Sequence, residues 1–298
     1  MSAALATRKR VRGYAPWKPQ AKSLDLLKQV QSILHEYHAH LPLTARQVFY
    51  RLVGAYDYPK VEQAYDRLCE MLNRARRGRQ IPFEHIRDDG TIMREPSYFD
   101  DTAHLLQSVS AAVDQFRLDR QTGQPVRLFF AVEAGGMVPQ VERIARDYGI
   151  TVMSSGGFDS TTVKHEIAEL VQAWPAVEIL HLGDHDPSGV HLFTALAEDV
   201  QAFAGPEHDI RFTRLVVTPT QIKELGLPTA PPKATDRRSF HGETAQAEAI
   251  APDVLAEIIQ DAIDSRIDHA AQAKVLAAEV AARAALSPVL HAIRDGAP

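Results

Sequence analysis

The sequence predicts an α/β protein with an α-rich N-terminal part. Apolar residues recur at helical spacing through the first quarter of the chain, short apolar runs alternate with helical patterns between residues 126 and 217, and two Ala-rich helical stretches close it. The 298 residues are 45% hydrophobic and 24% charged, enough to bury a core without a disulfide or metal staple. The single cysteine, Cys69, cannot form an intrachain disulfide, and its setting among Leu68, Met71 and Leu72 predicts a packed thiol in a reducing, cytoplasmic compartment. The N-terminus has no apolar signal core and no run of about 18 apolar residues occurs, so neither secretion nor membrane spanning is expected.

Residues 1–20 read as a basic flexible arm. Leu24, Leu27, Val30, Ile33, Leu34 and Tyr37 then mark an amphipathic helix over 22–38. In the next helix Thr44 can act as the cap, and Val48, Phe49, Leu52, Val53 and Tyr56 share an arc of roughly 140° at about 100° per residue. Tyr50 falls about 60° beyond that arc, between Arg46 and Gly54, and is expected to be accessible. After a break from Gly54 to Pro59, Val61, Ala64, Tyr65, Leu68, Met71 and Leu72 predict a third helix that ends in Arg74, Arg76, Arg77 and Arg79. Two helices across a short turn predict a helix-turn-helix, and Ile86 to Ile92, with Asp89-Gly90 at the turn, predicts a hairpin wing. A winged-helix unit over 21–98 results.

A helix carrying Leu105, Leu106, Val109, Val113 and Phe116 links it, over 99–125, to a second unit over 126–225. There strands are expected at 126–132, 150–153, 177–182 and 211–217, with helices at 137–148, 160–173 and 187–203 between them, the rhythm of a parallel sheet. Gly226 to Thr244, rich in proline and carrying Arg237-Arg238, predicts a surface loop or a segment ordered on binding, and the remainder to 298 is helical.

Charge is segregated along the chain. Residues 1–94 hold 17 Lys and Arg against 9 Asp and Glu, a net of +8, whereas residues 95–298 hold 16 against 29, a net of −13. The basic half has two dense runs, Arg8, Lys9, Arg10 and Arg12, and Arg74, Arg76, Arg77 and Arg79. Such runs suit phosphate neutralisation, the footprint of a nucleic-acid partner, and on charge alone they read equally well as a solvated, solubilising face.

The sharpest chemical motif is Gly183-Asp184-His185-Asp186-Pro187-Ser188-Gly189 after the strand at 177–182, where open α/β sheets place their sites. Asp184 and Asp186 point the same way if the backbone stays extended, and Asp186 can cap the following helix with Pro187 at its first position. Adjacent carboxylates repel unless a hard cation sits between them, so Mg²⁺, with Mn²⁺ as a substitute, is the expected ligand. Glu133, at the end of Phe129-Phe130-Ala131-Val132, supplies a third acid if the two strands are neighbours. Ser154-Ser155-Gly156-Gly157 reads as a turn that could approach a phosphate.

Glu133 followed two strand–helix units later by Gly-Asp-His-Asp-Pro-Ser-Gly resembles the Toprim domain, the Mg²⁺-binding module of topoisomerases, primases and OLD-type nucleases. The Asp-Pro-x-Gly ending is similar to that of the topoisomerase VI A subunit family and its meiotic double-strand-break relatives. That family places a winged helix before its Toprim domain, and Thr44-Ala45-Arg46-Gln47-Val48-Phe49-Tyr50-Arg51-Leu52 resembles the segment bearing its nucleophilic tyrosine, with Tyr50 at the matching position. The chain is most similar to the small stand-alone, mini-A type homologues. It departs from the family where a lysine commonly follows the Toprim glutamate, since Ala134-Gly135-Gly136 stands there.

The resemblance implies a type IIB-like DNA-cleaving topoisomerase. Tyr50 would form a covalent 5′ tyrosyl–DNA link, with Mg²⁺ on Glu133, Asp184 and Asp186. A phenol with a pKa near 10 is a weak nucleophile at neutral pH, so Arg46 or Arg51 is expected to stabilise its phenolate. The resemblance also implies a homodimer with tyrosine and metal site from different subunits, a separate GHKL-type ATPase B subunit for strand passage, and a nucleoid-associated place in the cytoplasm. A Toprim nuclease that hydrolyses DNA with water, or a catalytically silent DNA-binding adaptor, would share much of the pattern. A HAD-type phosphatase also uses Asp-x-Asp after a strand but needs neither Glu133 nor a basic N-terminal unit.

Overall fold

A computed structural model of the protein describes residues 14–87, 98–154, 161–232 and 240–295. The basic run Arg8 to Arg12, the wing turn at Asp89-Gly90, Ser155-Gly156-Gly157 and Arg237-Arg238 lie outside the described residues.

The N-terminal unit is built from α1 (Ala21–Glu36), α2 (Ala45–Tyr56) and α3 (Glu62–Arg77). Thr44 starts α2 with a capping box: its hydroxyl accepts from the Gln47 amide at 3.1 Å while its own amide donates to the Gln47 side chain at 2.9 Å. Asp57, in the left-handed region at φ 50°, ends α2 and turns the chain into α3. Leu27, Val30 and Ile33 of α1 bury against Val48, Phe49 and Leu52 of α2 and Leu68 and Leu72 of α3. Periodicity puts Leu24, Tyr56 and Val61 on these apolar faces, but they are exposed, and they lie in the first turn of α1, at the last residue of α2 and at the N-cap of α3. β1 (Leu43–Thr44) pairs in parallel with β2 (Ile86–Arg87). The predicted hairpin start therefore takes a parallel partner 43 residues upstream by register, Leu43 opposite Ile86. Of the arm expected to be flexible over 1–20, the described residues from 14 onward include Ala15, whose amide donates to the Arg77 carbonyl at 3.1 Å.

α4 (Thr102–Asp114) follows, and no described residue in it is buried; it lies against α10 (His269–Asp295). The sheet is all parallel in the order β4-β3-β5-β6, with β3 at Arg127–Val132, β4 at Thr151–Ser154, β5 at Ala176–Leu182 and β6 at Asp209–Val216. α5 (Val138–Ala145), α6 (Thr161–Val171) and α7 (Pro187–Ala204) make the crossovers. Strand alternation divides β3 between two cores. Leu128, Phe130 and Val132 meet α5 and α9 (Pro252–Asp264) on one face, whereas Phe129 and Ala131 meet α6 and α7 on the other. Burial on both faces explains why β3 and β5 read as continuous apolar runs. After β6 the chain forms α8 (Pro219–Glu224). Residues 245–267 then add Ala245, Ala247, Ile250, Leu255 and Ile259 to the core that contains Leu128 and Val216, so the expected boundary at 225 falls inside one packed unit.

The molecule is thus an α/β protein, as its sequence predicts. Among the described residues no helix is long and apolar enough to cross a membrane.

Candidate active site

From β3 the chain crosses to β4 on one side and then returns past β3 to β5 on the other. The carboxyl ends of β3 and β5 therefore flank the topological switch point, where parallel sheets leave a crevice. Val132 pairs with Leu182 at that edge, and the Glu133 amide donates to the Leu182 carbonyl at 2.8 Å. Glu133 and the Gly183 to Gly189 loop are brought together as the sequence predicts.

Each of the three acids is pinned through one oxygen by a main-chain amide. Glu133 Oε2 accepts from Asp184 N at 3.0 Å, Asp184 Oδ1 from Ala247 N at 2.8 Å, and Asp186 Oδ1 from Gly189 N at 2.7 Å. The last bond is the helix cap expected of Asp186, with Pro187 at the first turn of α7. The second oxygen of each acid accepts no hydrogen bond from a described residue. Among the described residues no group of three or more His, Cys, Asp and Glu side chains is gathered as a metal cage. Two glycines make the loop possible. A Cβ on Gly183 would lie 2.4 Å from Glu133 Oε2, and one on Gly189 would lie 2.4 Å from the Asp184 carbonyl oxygen.

The electrostatics follow from burial of like charges. Burial and then the Asp184 charge raise the Glu133 carboxyl to about 7, and burial also raises Asp184. Arg214 on β6, which sequence reasoning missed, answers this charge. Its guanidinium donates to the carbonyls of Val217 at 3.0 Å and of Gly183 and Gly189 at 3.2 Å, and also to that of Asp184. Burial lowers its pKa while Glu133, Asp184 and Asp186 oppose the fall. His181, fully buried beneath the loop, is pushed down to about 3 by burial and by Arg214.

Tyr50 corrects an expectation. It is 5% exposed, because residues 245–250 form a strap that crosses α2 and covers the side of the helix left open by α1 and α3. Its hydroxyl donates to Gln246 Oε1 at 2.6 Å, and the same oxygen accepts from Arg46 Nη1 at 2.9 Å. Burial drives the Tyr50 phenol up to about 12; Arg46 pulls it down, and Asp184 and Glu248 push it further up. Arg51, the other cation expected to assist Tyr50, donates instead to the Ala249 carbonyl. The Lys60 ammonium lies 5.7 Å from the Tyr50 ring centroid.

The strap is the second feature that sequence reasoning missed. Gln246 holds Tyr50 and Arg46, Ala247 holds Asp184, and the buried Glu248 accepts from Thr44 Oγ1 at 2.6 Å with Arg46 Nε at 3.8 Å. Three consecutive residues thereby bridge the capped start of α2 and the sheet edge. Their sequence, Ala245-Gln246-Ala247-Glu248-Ala249, offers small residues and two polar ones, with no signal of the contacts 200 positions away.

Arg74, Arg76, Arg77 and Arg79 lie at the end of α3, remote in sequence from the acid cluster. Arg74 pairs with Glu70, Arg77 Nε donates to Asn73 at 2.7 Å, and the Arg76 and Arg79 guanidinium groups stack on Phe83 and Tyr14.

No protein-family model matches the chain, and no curated protein is significantly similar to it.

Proposed function

We propose that the protein is a Mg²⁺-dependent DNA-cleaving enzyme of topoisomerase VI A subunit type, with a winged-helix unit that binds double-stranded DNA and a Toprim unit that holds the metal. One observation carries the reading: Tyr50 and Asp184 are bound by the adjacent residues Gln246 and Ala247, so a tyrosine and an acid of the Gly183 to Gly189 loop are tied to one strap beside a sheet's switch point. The donor set suits Mg²⁺. Glu133, Asp184 and Asp186 are hard carboxylates, each with one oxygen left over, and Mg²⁺ commonly takes one or two carboxylates with water and phosphate oxygens completing its shell. When bound, the ion would neutralise charge on the scissile phosphate.

In this reading Tyr50 Oη attacks the phosphorus, the bond to the 3′ oxygen breaks, and a 5′ phosphotyrosyl link forms. Tyr50 must first give up its bond to Gln246 and its proton, which passes to water and is balanced by the proton that the departing 3′ oxygen takes up, and Arg46, which lowers the phenol's pKa, is the cation that would stabilise the phenolate. The family draws tyrosine and metal from different subunits, whereas the geometry here favours a site completed within one chain. A homodimer would then serve to cut both strands, and an ATPase B subunit would remain a separate requirement for strand passage.

The test is detergent trapping. Wild-type protein with DNA and Mg²⁺ is expected to leave a protease-sensitive adduct on 5′ ends, and Tyr50→Phe to leave none and not to cut. Burial of Tyr50 favours a second reading, hydrolysis by water, for which Tyr50→Phe still cuts and all ends are free. Asp184→Ala removes cutting in both readings while DNA binding persists; a wild type that binds DNA but neither cuts nor forms an adduct is a DNA-binding adaptor, and one that does not bind DNA overturns the reading. Mixing Tyr50→Phe with Asp184→Ala separates the geometries, since recovery of nicking requires a site shared between subunits.

A further inference from the structure

The end of α3 carries a second constellation that the cleavage site does not use. Gly78 N donates to Arg74 O at 2.8 Å and Gln80 N to Ala75 O at 2.8 Å, closing the helix with Arg79 in the left-handed region at φ 59°. This turn sends the Arg79 guanidinium over the Tyr14 ring, 4.3 Å from its centroid. Tyr14 is held there by the chain that follows it: Ala15 N donates to Arg77 O at 3.1 Å, and Gln80 Nε2 donates to Trp17 O at 2.8 Å. Phe83, after the Pro82 that opens a short 3-10 turn, meets Tyr14 edge-on at 6.0 Å, with Arg76 5.3 Å from its own centroid.

These side chains border an open cavity of about 460 Å³, lined by Tyr14, Asn73, Arg76, Arg77 and Phe83. Its aromatic rings are left in water, with Tyr14 61% and Phe83 49% exposed. Exposed aromatic faces interleaved with guanidinium planes form a surface on which a nucleobase stacks, and the positive charge beside them receives its phosphates. A base paired inside a duplex presents only its edge, so such a groove selects a base that has left the stack.

We propose that the open cavity beside Tyr14 and Phe83 binds one unpaired nucleobase of DNA, stacked on the Phe83 ring with Tyr14 next to it, and with flanking phosphates on Arg77 and Arg79. The proposal deepens the DNA-binding part of the reading above and does not depend on cleavage. Its test is fluorescence anisotropy of the full chain in EDTA with three labelled DNAs: oligo(dT), a blunt duplex, and the same duplex with a two-base bulge. The wild type is expected to prefer the bulged duplex and oligo(dT) over the blunt duplex. Phe83→Leu, which keeps apolar bulk on an exposed side chain, should abolish that preference, losing roughly tenfold in affinity for the unpaired substrates with an unchanged salt slope. Phe83→Trp should retain it, and Tyr14→Leu should weaken it. Equal affinity of the wild type for all three DNAs, or a Phe83→Leu protein that still discriminates, would overturn the proposal. A wild type that discriminates but neither cuts nor forms an adduct supports the groove and rejects the cleavage reading alone.

Discussion

A carboxyl group at about 7 in the folded protein, against an ordinary value of 4.5, binds more protons folded than unfolded throughout that interval. Glu133 therefore makes folding less favourable as pH rises from about 4.5 to 7, by at most about 3 kcal/mol. His181 has the opposite sign: held near 3 against 6.5, it costs stability as pH falls through that range. The two overlap, so the informative quantity is a difference. Glu133→Gln should gain stability relative to wild type as pH is raised from 5 to 7.5 in EDTA, measured by urea denaturation. A constant difference across that range would show that Glu133 is not buried among like charges. Gly189 makes a steric prediction at the same scale. Ala at 189 drives a Cβ to 2.4 Å from a main-chain oxygen, so Gly189→Ala should cost about 1–3 kcal/mol in the same assay and displace Asp184.

At the level of elements, α2 and the strap depend on one another. Thr44 caps α2 and at the same time donates to the buried Glu248 carboxylate. Thr44→Ala is expected to cost about 1–2 kcal/mol by urea denaturation, and Thr44→Ser to restore most of it, because the hydroxyl supplies both bonds. The capping role is legible in Thr44 and Gln47, three residues apart in a periodic segment. The bond to Glu248 is not, because nothing local distinguishes a glutamate that will be buried from one that stays in solvent. The same limit explains Tyr50: the helical wheel sets it beyond the apolar arc, but the face it occupies is covered by a segment nearly 200 residues downstream. The arc itself does bury, except at the helix ends.

Across the whole molecule, the opposed charges of the two halves, +8 for residues 1–94 and −13 for residues 95–298, set where a polyanion can approach. Reversing Arg76 and Arg77 to Glu should weaken binding to unrelated duplexes by similar factors and reduce the salt slope by about one for each phosphate that is no longer neutralised. An unchanged slope in a salt titration would place the DNA on another face. The parallel sheet serves as the rigid support for this arrangement. It buries β3 and β5 on both faces and carries Glu133 and the Asp184 loop to one edge.

The sequence by itself determined the α/β class, the order of strands and helices between residues 126 and 217, the cap at Thr44, and the arrival of Glu133, Asp184 and Asp186 at strand ends. Each of these depends on local periodicity, on capping chemistry, or on the rule that parallel strands expose their carboxyl ends together. The tertiary structure alone decided that Arg214 faces the acids, that Gln246 holds Tyr50, that Tyr50 is buried, and that Tyr14 and Phe83 form one groove. These are long-range contacts, chosen when whole elements pack. Neighbouring residues constrain the backbone at short range, but which distant side chain fills a given space is set by the fit of the assembled elements.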